Sequence, residues 1–256
     1  MRAHLLTVLL LAAPTLSWAQ SDFRLSTANM PKLEDALIPL PPPLGDTMVR
    51  ESLDMSRTPK PKPEEVLKQA VNALKTRQFA EALPQLEYLQ ALQPTKGAQV
   101  TDPDLLILRG CIYAESGHQE PAEKIFKKTV LISPSHPWAR LNLAESQLAQ
   151  KKYADAENTL SILALSRPES EVVRFKLILA LALQKKFPSA EQELQYLEEH
   201  ANTPAYYFAK AAIAFSRGDA VHGQDLVEQA KRNYAEAQTG YFYNSLVAQS
   251  WLPKQP

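Results

Sequence analysis

Histidine, cysteine and the acidic residues, which most often carry catalysis, show no catalytic spacing in this 256-residue chain. The single cysteine, Cys111, stands between Leu108 and Tyr113 in an apolar helical pattern, which predicts a buried structural thiol rather than a nucleophile. No two histidines have metal-site spacing, and no H-E-x-x-H sequence occurs. The five histidines are His4, His118, His136, His200 and His222. No pair of carboxylates is marked out for acid–base work, so we expect no enzyme, no cofactor and no metal site.

The glycine and charge content argues against two further classes of function. Seven glycines stand against 20 prolines, and neither G-x-G-x-x-G nor G-x-x-x-x-G-K is present, so dinucleotide-binding and P-loop chemistry are not expected. The 28 acidic and 28 basic side chains balance, which leaves no electrostatic footprint for nucleic acid. Scarce glycine in a chain rich in helix formers favours helices that proline interrupts.

The N-terminal part of the chain, 1–62, predicts export and a tether. Residues 1–19 combine Arg2, an apolar run over 5–13 and small residues before Ala19, which is typical of a signal peptide cleaved after Ala19. An uncleaved membrane anchor is the alternative, although the run is short for a membrane span, which needs about twenty apolar residues. Residues 20–62 are proline-rich and predicted to be extended or disordered. With a single cysteine and no glycosylation sequon, the chain is expected in a bacterial periplasm.

In the remainder of the chain, small residues recur with a period of about 34 residues, which is typical of a helical repeat. They are Ala82, Ala122, Ala156 and Ala190, and the first interval is slightly longer than the other two. An apolar residue follows each of them after four positions: Leu86, Phe126, Leu160 and Leu194. A proline follows the first three after twelve positions: Pro94, Pro134 and Pro168. This period predicts pairs of amphipathic helices that touch at their small residues, with proline closing the second helix.

The pattern resembles the tetratricopeptide repeat over about residues 63–237. The match is strongest in 103–136, where six residues occupy the signature positions: Gly110, Tyr113, Gly117, Ala122, Phe126 and Pro134. The resemblance implies an all-α, right-handed α-solenoid of about five helix-turn-helix repeats, at 63–96, 103–136, 137–170, 171–203 and 204–237. Residues 238–256 are predicted to form a closing helix and tail. Arg140 and Arg174 depart from the pattern, because a bulky apolar residue is usual near the start of the first helix.

The resemblance also implies a protein-binding groove, since the first helices of this family line a concave face where peptides bind. The residues predicted to line it are Leu67, Val71, Leu74, Ile107, Trp138, Leu141, Glu145, Leu148, Phe175, Leu179, Phe208 and Phe215. An apolar surface of this length would mark a contact site. A register error of one residue would instead make these residues part of the core. In a third interpretation, the apolar residues of segment 20–60 lie in the groove themselves.

These observations predict a non-catalytic scaffold or adaptor of the bacterial cell envelope that binds a helix or an extended segment of another protein. A homo-oligomer assembled through the groove and the closing helix is the main alternative. A membrane-tethering protein and a subunit of an enzyme or of a secretion complex are further alternatives. We expect a protein or peptide partner, no nucleic acid, and no integral membrane span after signal cleavage.

Overall fold

The computed structural model describes residues 62–76, 78–91, 102–198 and 203–254. Those residues form helices and connections without a β-strand. Eleven helices follow one another in them: α1 (Pro63–Lys75), α2 (Phe79–Ala91), α3 (Pro103–Glu115), α4 (Gln119–Ile132), α5 (Pro137–Ala149), α6 (Tyr153–Ser166), α7 (Glu171–Leu183), α8 (Phe187–Glu198), α9 (Pro204–Arg217), α10 (Ala220–Asn233) and α11 (Glu236–Val247). The predicted all-α class is confirmed. The predicted signal peptide and nearly all of the predicted tether lie outside the described residues.

Proline opens the first helix of several repeats, as the sequence predicts. Pro63, Pro103, Pro137 and Pro204 are the first residues of α1, α3, α5 and α9. Proline costs no hydrogen bond there, because the first amide groups of a helix have no partner within it. At α3 the preceding Asp102 side chain also accepts a 3.0 Å bond from the amide of Asp104. These residues fix where the first helices begin.

Each of the turns inside four hairpins contains one residue in the left-handed backbone conformation. It follows α3, α5, α7 and α9, at Gly117, Lys151, Lys185 and Gly218, with φ between 59° and 91°. Glycine adopts this conformation without steric cost, whereas lysine does not. The backbone therefore repeats with the period of the sequence even where the glycine is missing.

The recurring small residues lie where the helices of a hairpin touch. Ala82, Ala122, Ala156 and Ala190 have no exposed surface. Gly110 of α3 faces the ring of Phe126 on α4, and a Cβ added there would lie 2.4 Å from the Cε1 atom of that ring. Close approach at these points lets each hairpin bury its apolar side chains, and stacking of hairpins completes the core.

The chain divides into two compact units, which we describe separately. In the N-terminal unit, which ends at Ala139, α1 packs on α2, α2 on α3 and α3 on α4. In the C-terminal unit, which begins at Arg140 within α5, α6 to α10 pack consecutively and α7 also packs on α9. Helix α11 contacts α9 and α10. Consecutive packing of this kind within each unit is that of a helical solenoid. The right-handed superhelical sense stays a prediction.

Within the described part of the chain, no helix combines the length and the apolar character needed to cross a membrane.

Candidate functional site

Helix α11 covers the first helices of the C-terminal unit with an aromatic face. The Phe242 ring lies edge-on to Phe175 of α7, with 5.0 Å between the ring centroids. It also stacks on Phe208 of α9 at 5.7 Å and an angle of 23°. All three side chains are buried. Because one ring sits against two others from successive first helices, this contact accounts for much of the apolar attachment of α11.

A polar contact holds the same helix further along the face. The Tyr241 hydroxyl donates a 2.6 Å hydrogen bond to Glu145 on α5. The ammonium group of Lys176, on α7, lies 2.7 Å from the same carboxylate and 4.8 Å from the centroid of the Tyr241 ring. Burial and the neighbouring Glu145 charge raise the pKa of Tyr241 well above its ordinary value, so this phenol stays protonated and acts as a donor.

The segment after α11 extends the cover. Trp251 stacks on Phe215 of α9 with 5.7 Å between centroids and an angle of 18°. The Tyr243 hydroxyl donates a 3.0 Å bond to the carbonyl oxygen of Pro253, which ties this segment back to α11. Phe242 and Trp251 thus face first helices of their own chain.

We call the covered surface the first-helix face, defined by Glu145, Phe175, Lys176, Phe208 and Phe215. Three first helices of the C-terminal unit, α5, α7 and α9, supply these residues. Three phenylalanine rings make the surface largely apolar, and Glu145 and Lys176 form an ion pair on it. In this structure α11 fills it with aromatic rings and the Tyr241 hydroxyl group.

The predicted groove residues do not form an exposed patch. Seven of them have 9% or less of their surface exposed: Ile107, Leu141, Leu148, Phe175, Leu179, Phe208 and Phe215. Trp138 and Glu145 are partly exposed, and the side chains of Leu67, Val71 and Leu74 lie outside what the structure describes. The expectation of a large exposed apolar surface is wrong for these seven residues, because helices of the same chain bury them. Whether the face binds another protein stays a prediction.

Three residues of this contact, Lys176, Tyr241 and Phe242, were not predicted as site residues, and only Lys176 carried a local signal. Lys176 is a charged residue inside the apolar run of α7, and a buried ammonium group requires a partner. Tyr241 lies within the predicted closing helix and tail, 238–256, where no local feature assigns it to this site. Its partner Glu145 is 96 residues away in sequence, and no local pattern joins two residues at that distance.

Comparison with known proteins agrees with this arrangement of hairpins. The tetratricopeptide repeat family model matches residues 113–176, which run from the end of α3 into α7. The chain therefore carries tetratricopeptide repeat sequence in this segment, and its fold is similar to that of solved helical-repeat proteins. Among curated proteins, none matches it significantly.

Solved structures of similar fold include TTC0263, a thermophilic TPR protein in Thermus thermophilus, at a TM-score of 0.55 and 18% identity. That match covers 74% of this chain and all of the other. A mutant of MamA has a TM-score of 0.50 at 19% identity, over 68% of this chain and 95% of its own. MamA AMB-1 has a TM-score of 0.49 at 20% identity, over 67% and 96% of the two chains. At such identities the likeness shows the fold alone.

The other potentially reactive side chains, Cys111 and His136, contact or are buried by neighbouring protein groups. Burial, with a smaller contribution from the Glu115 charge, raises the pKa of the Cys111 thiol to about 12, which disfavours the reactive thiolate. The His136 ring lies 3.1 Å from Asp104. Across the described ranges, no three histidine, cysteine or acidic side chains come close enough to hold a metal ion.

A cavity of about 310 Å³ lies beside the connection from α6 to α7, and Arg174 and Tyr196 are part of its lining. The Arg174 guanidinium lies 3.6 Å from the centroid of the Tyr196 ring and pairs with Glu193. It also donates to the carbonyl oxygen of Pro168. Because that cation is already compensated, the cavity has no evident attraction for an anionic ligand.

Proposed function

We propose that the chain is a non-catalytic scaffold that binds a helix or an extended segment of another protein through its first helices. The family supports this at the general level, because tetratricopeptide repeat proteins are generally protein-interaction scaffolds. The observation that carries the proposal is α11, which is seated on the first-helix face through Phe242 and Tyr241. A surface that holds one amphipathic helix in this way has the chemistry to hold another.

We propose further that the scaffold acts in a bacterial cell envelope, after export and cleavage behind Ala19. The support is in the sequence: Arg2, the apolar run over 5–13 and the small residues before Ala19 are those of a signal peptide. N-terminal sequencing of protein purified from a periplasmic fraction is expected to begin at Gln20. A mature protein that begins at Met1 and fractionates with membranes would support the uncleaved anchor instead.

Site-specific photocrosslinking in cells tests the binding surface. Trp138 is the partly exposed aromatic residue among the predicted groove residues, so a photoreactive phenylalanine analogue there changes size and polarity little. The matched control places the same analogue at Leu165, which is 84% exposed on the second helix α6. We expect adducts with another protein from position 138 and few from position 165.

Two results would contradict the proposal. Equal adducts at both positions, or none at position 138, would show that the first helices are not the binding surface. Adducts of twice the mass of the chain itself would favour the homo-oligomer over the adaptor.

A further inference from the structure

We propose that α11 is an internal competitor, and that the partner is a helix with the same Tyr-Phe pattern as Tyr241 and Phe242. This inference rests on the proposed function, because it names the class of partner for the same surface. In the closed chain α11 fills the first-helix face, and the partner helix binds when α11 leaves. Three features of the structure carry the argument.

The first feature is the specificity of the aromatic contact. Phe175 and Phe208 present their rings from two helices to the single ring of Phe242, one edge-on and one stacked. Aromatic pairs prefer these two geometries to a face-to-face sandwich. An aliphatic side chain at the position of Phe242 would lose both, so the face selects a helix with an aromatic residue there.

The second feature is that the polar contact tolerates the departure of α11. Lys176 is 4% exposed, but its charge is compensated by Glu145, which belongs to α5 and not to α11. When Tyr241 leaves, the carboxylate loses one hydrogen bond and keeps its ion pair. A buried charge without a partner, which would strongly oppose opening, is therefore not created.

The third feature is that α11 is a weak helix by sequence. Its 12 residues include Gly240, Thr239, Asn244 and Ser245, which are poor helix formers, and three aromatic residues. Glycine is not needed at position 240, because an added Cβ would meet nothing within 4 Å. By contrast, a Cβ added at Gly110 or at Gly223 would lie less than 3 Å from a phenylalanine ring. A short helix of this composition is marginal alone, so a partner helix with better propensity can compete with it.

Competition predicts opposite effects for two substitutions in α11 of the full chain. Gly240→Ala strengthens the helix without a clash, so it holds α11 on the face and weakens binding of an added helix. Phe242→Ala removes the ring contact, so it populates the open state and strengthens binding. Asn244→Ser is the matched control, because Asn244 lies on the exposed side of the same helix and serine has a similar helix propensity.

The probe is a fluorescent synthetic peptide of residues 236–252, titrated into the full chain and followed by anisotropy. We expect Gly240→Ala to raise the apparent Kd about fivefold, from the helix propensity of alanine over glycine. Phe242→Ala is expected to lower it at least tenfold, and Asn244→Ser to leave it unchanged. A second peptide with Phe242→Ala is expected not to bind any of the chains.

Equal affinities of the wild type and Gly240→Ala, or binding of the second peptide, would overturn the inference. Light scattering in the same samples provides a further outcome, since a dimer that forms in Phe242→Ala would assign the face to a second copy and also overturn it. The photocrosslinking experiment separates the two proposals. Adducts at position 138 together with equal peptide affinities would keep the scaffold function and remove the competitor.

Discussion

Replacing Gly110 by alanine tests whether the small residue at the helix crossing is a steric requirement. The new Cβ would lie 2.4, 2.8 and 2.9 Å from three atoms of the Phe126 ring. That ring is 1% exposed, so it has little room to turn away. Overpacking of a core costs about 1–3 kcal/mol, and the rigid ring places this case near the upper end. Alanine returns about 1 kcal/mol through helix propensity. We therefore expect a net loss of about 2 kcal/mol.

The matched control is Gly240→Ala, which also replaces glycine inside a helix but meets no atom within 4 Å. It is expected to stabilise the chain by about 1 kcal/mol, since only the propensity contribution remains. Urea unfolding followed by circular dichroism gives both free energies. A double variant with Phe126→Leu should recover part of the loss at Gly110. The steric reasoning would be refuted if Gly110→Ala stabilised the chain as Gly240→Ala does.

Three further predictions concern the turns, the thiol and the phenol. Lys151→Gly should raise the free energy of unfolding in urea by about 0.5–1 kcal/mol, because lysine there has φ of 59°, whereas Gly117→Ala should lower it by about 1 kcal/mol. A change of the same sign in both variants would contradict this reasoning. Cys111, with its pKa raised to about 12, should react with Ellman's reagent at pH 8 at least a hundredfold more slowly when folded than in urea; equal rates would show an accessible thiolate. Tyr241→Phe should lower the free energy of unfolding by about 1.5 kcal/mol at pH 7. This difference from the wild type should shrink above pH 10, because the phenol of the unfolded chain loses its proton before that of the folded chain; a difference independent of pH would exclude a raised pKa of Tyr241.

The hairpins could be predicted because the rules that make them are local. A proline at the first position, a small residue at the crossing and an apolar residue four positions later all act within one repeat. The structure places Pro103, Ala122 and Phe126 in these roles. Because the same features recur from one repeat to the next, the positions predicted in one repeat can be checked against those in the neighbouring repeats.

Arg174 shows why a departure from the pattern did not break the fold. The repeat expects a bulky apolar residue near the start of this helix, and the arginine is 7% exposed. Its guanidinium lies on the Tyr196 ring and pairs with Glu193, both on α8. The side chain therefore fills the apolar position while its charge is compensated. The pattern at Arg174 alone carries no information about these partners, which lie on the following helix.

The candidate site was predictable in position but not in state, and the difference has one cause. Phe175 and Phe208 lie at the repeat positions expected to face a ligand, and they do face a helix. Their burial depends on Phe242, which arrives from the end of the chain and has no fixed spacing to either of them. Periodicity indicates which side of a helix a residue occupies, but it does not indicate what covers that side. In this structure the same residues are core residues because α11 is seated on them, and we propose that they become groove residues when α11 leaves. The proposed opening of α11 decides between groove and core, and the shifts of the apparent Kd in Gly240→Ala and Phe242→Ala relative to the wild type test it.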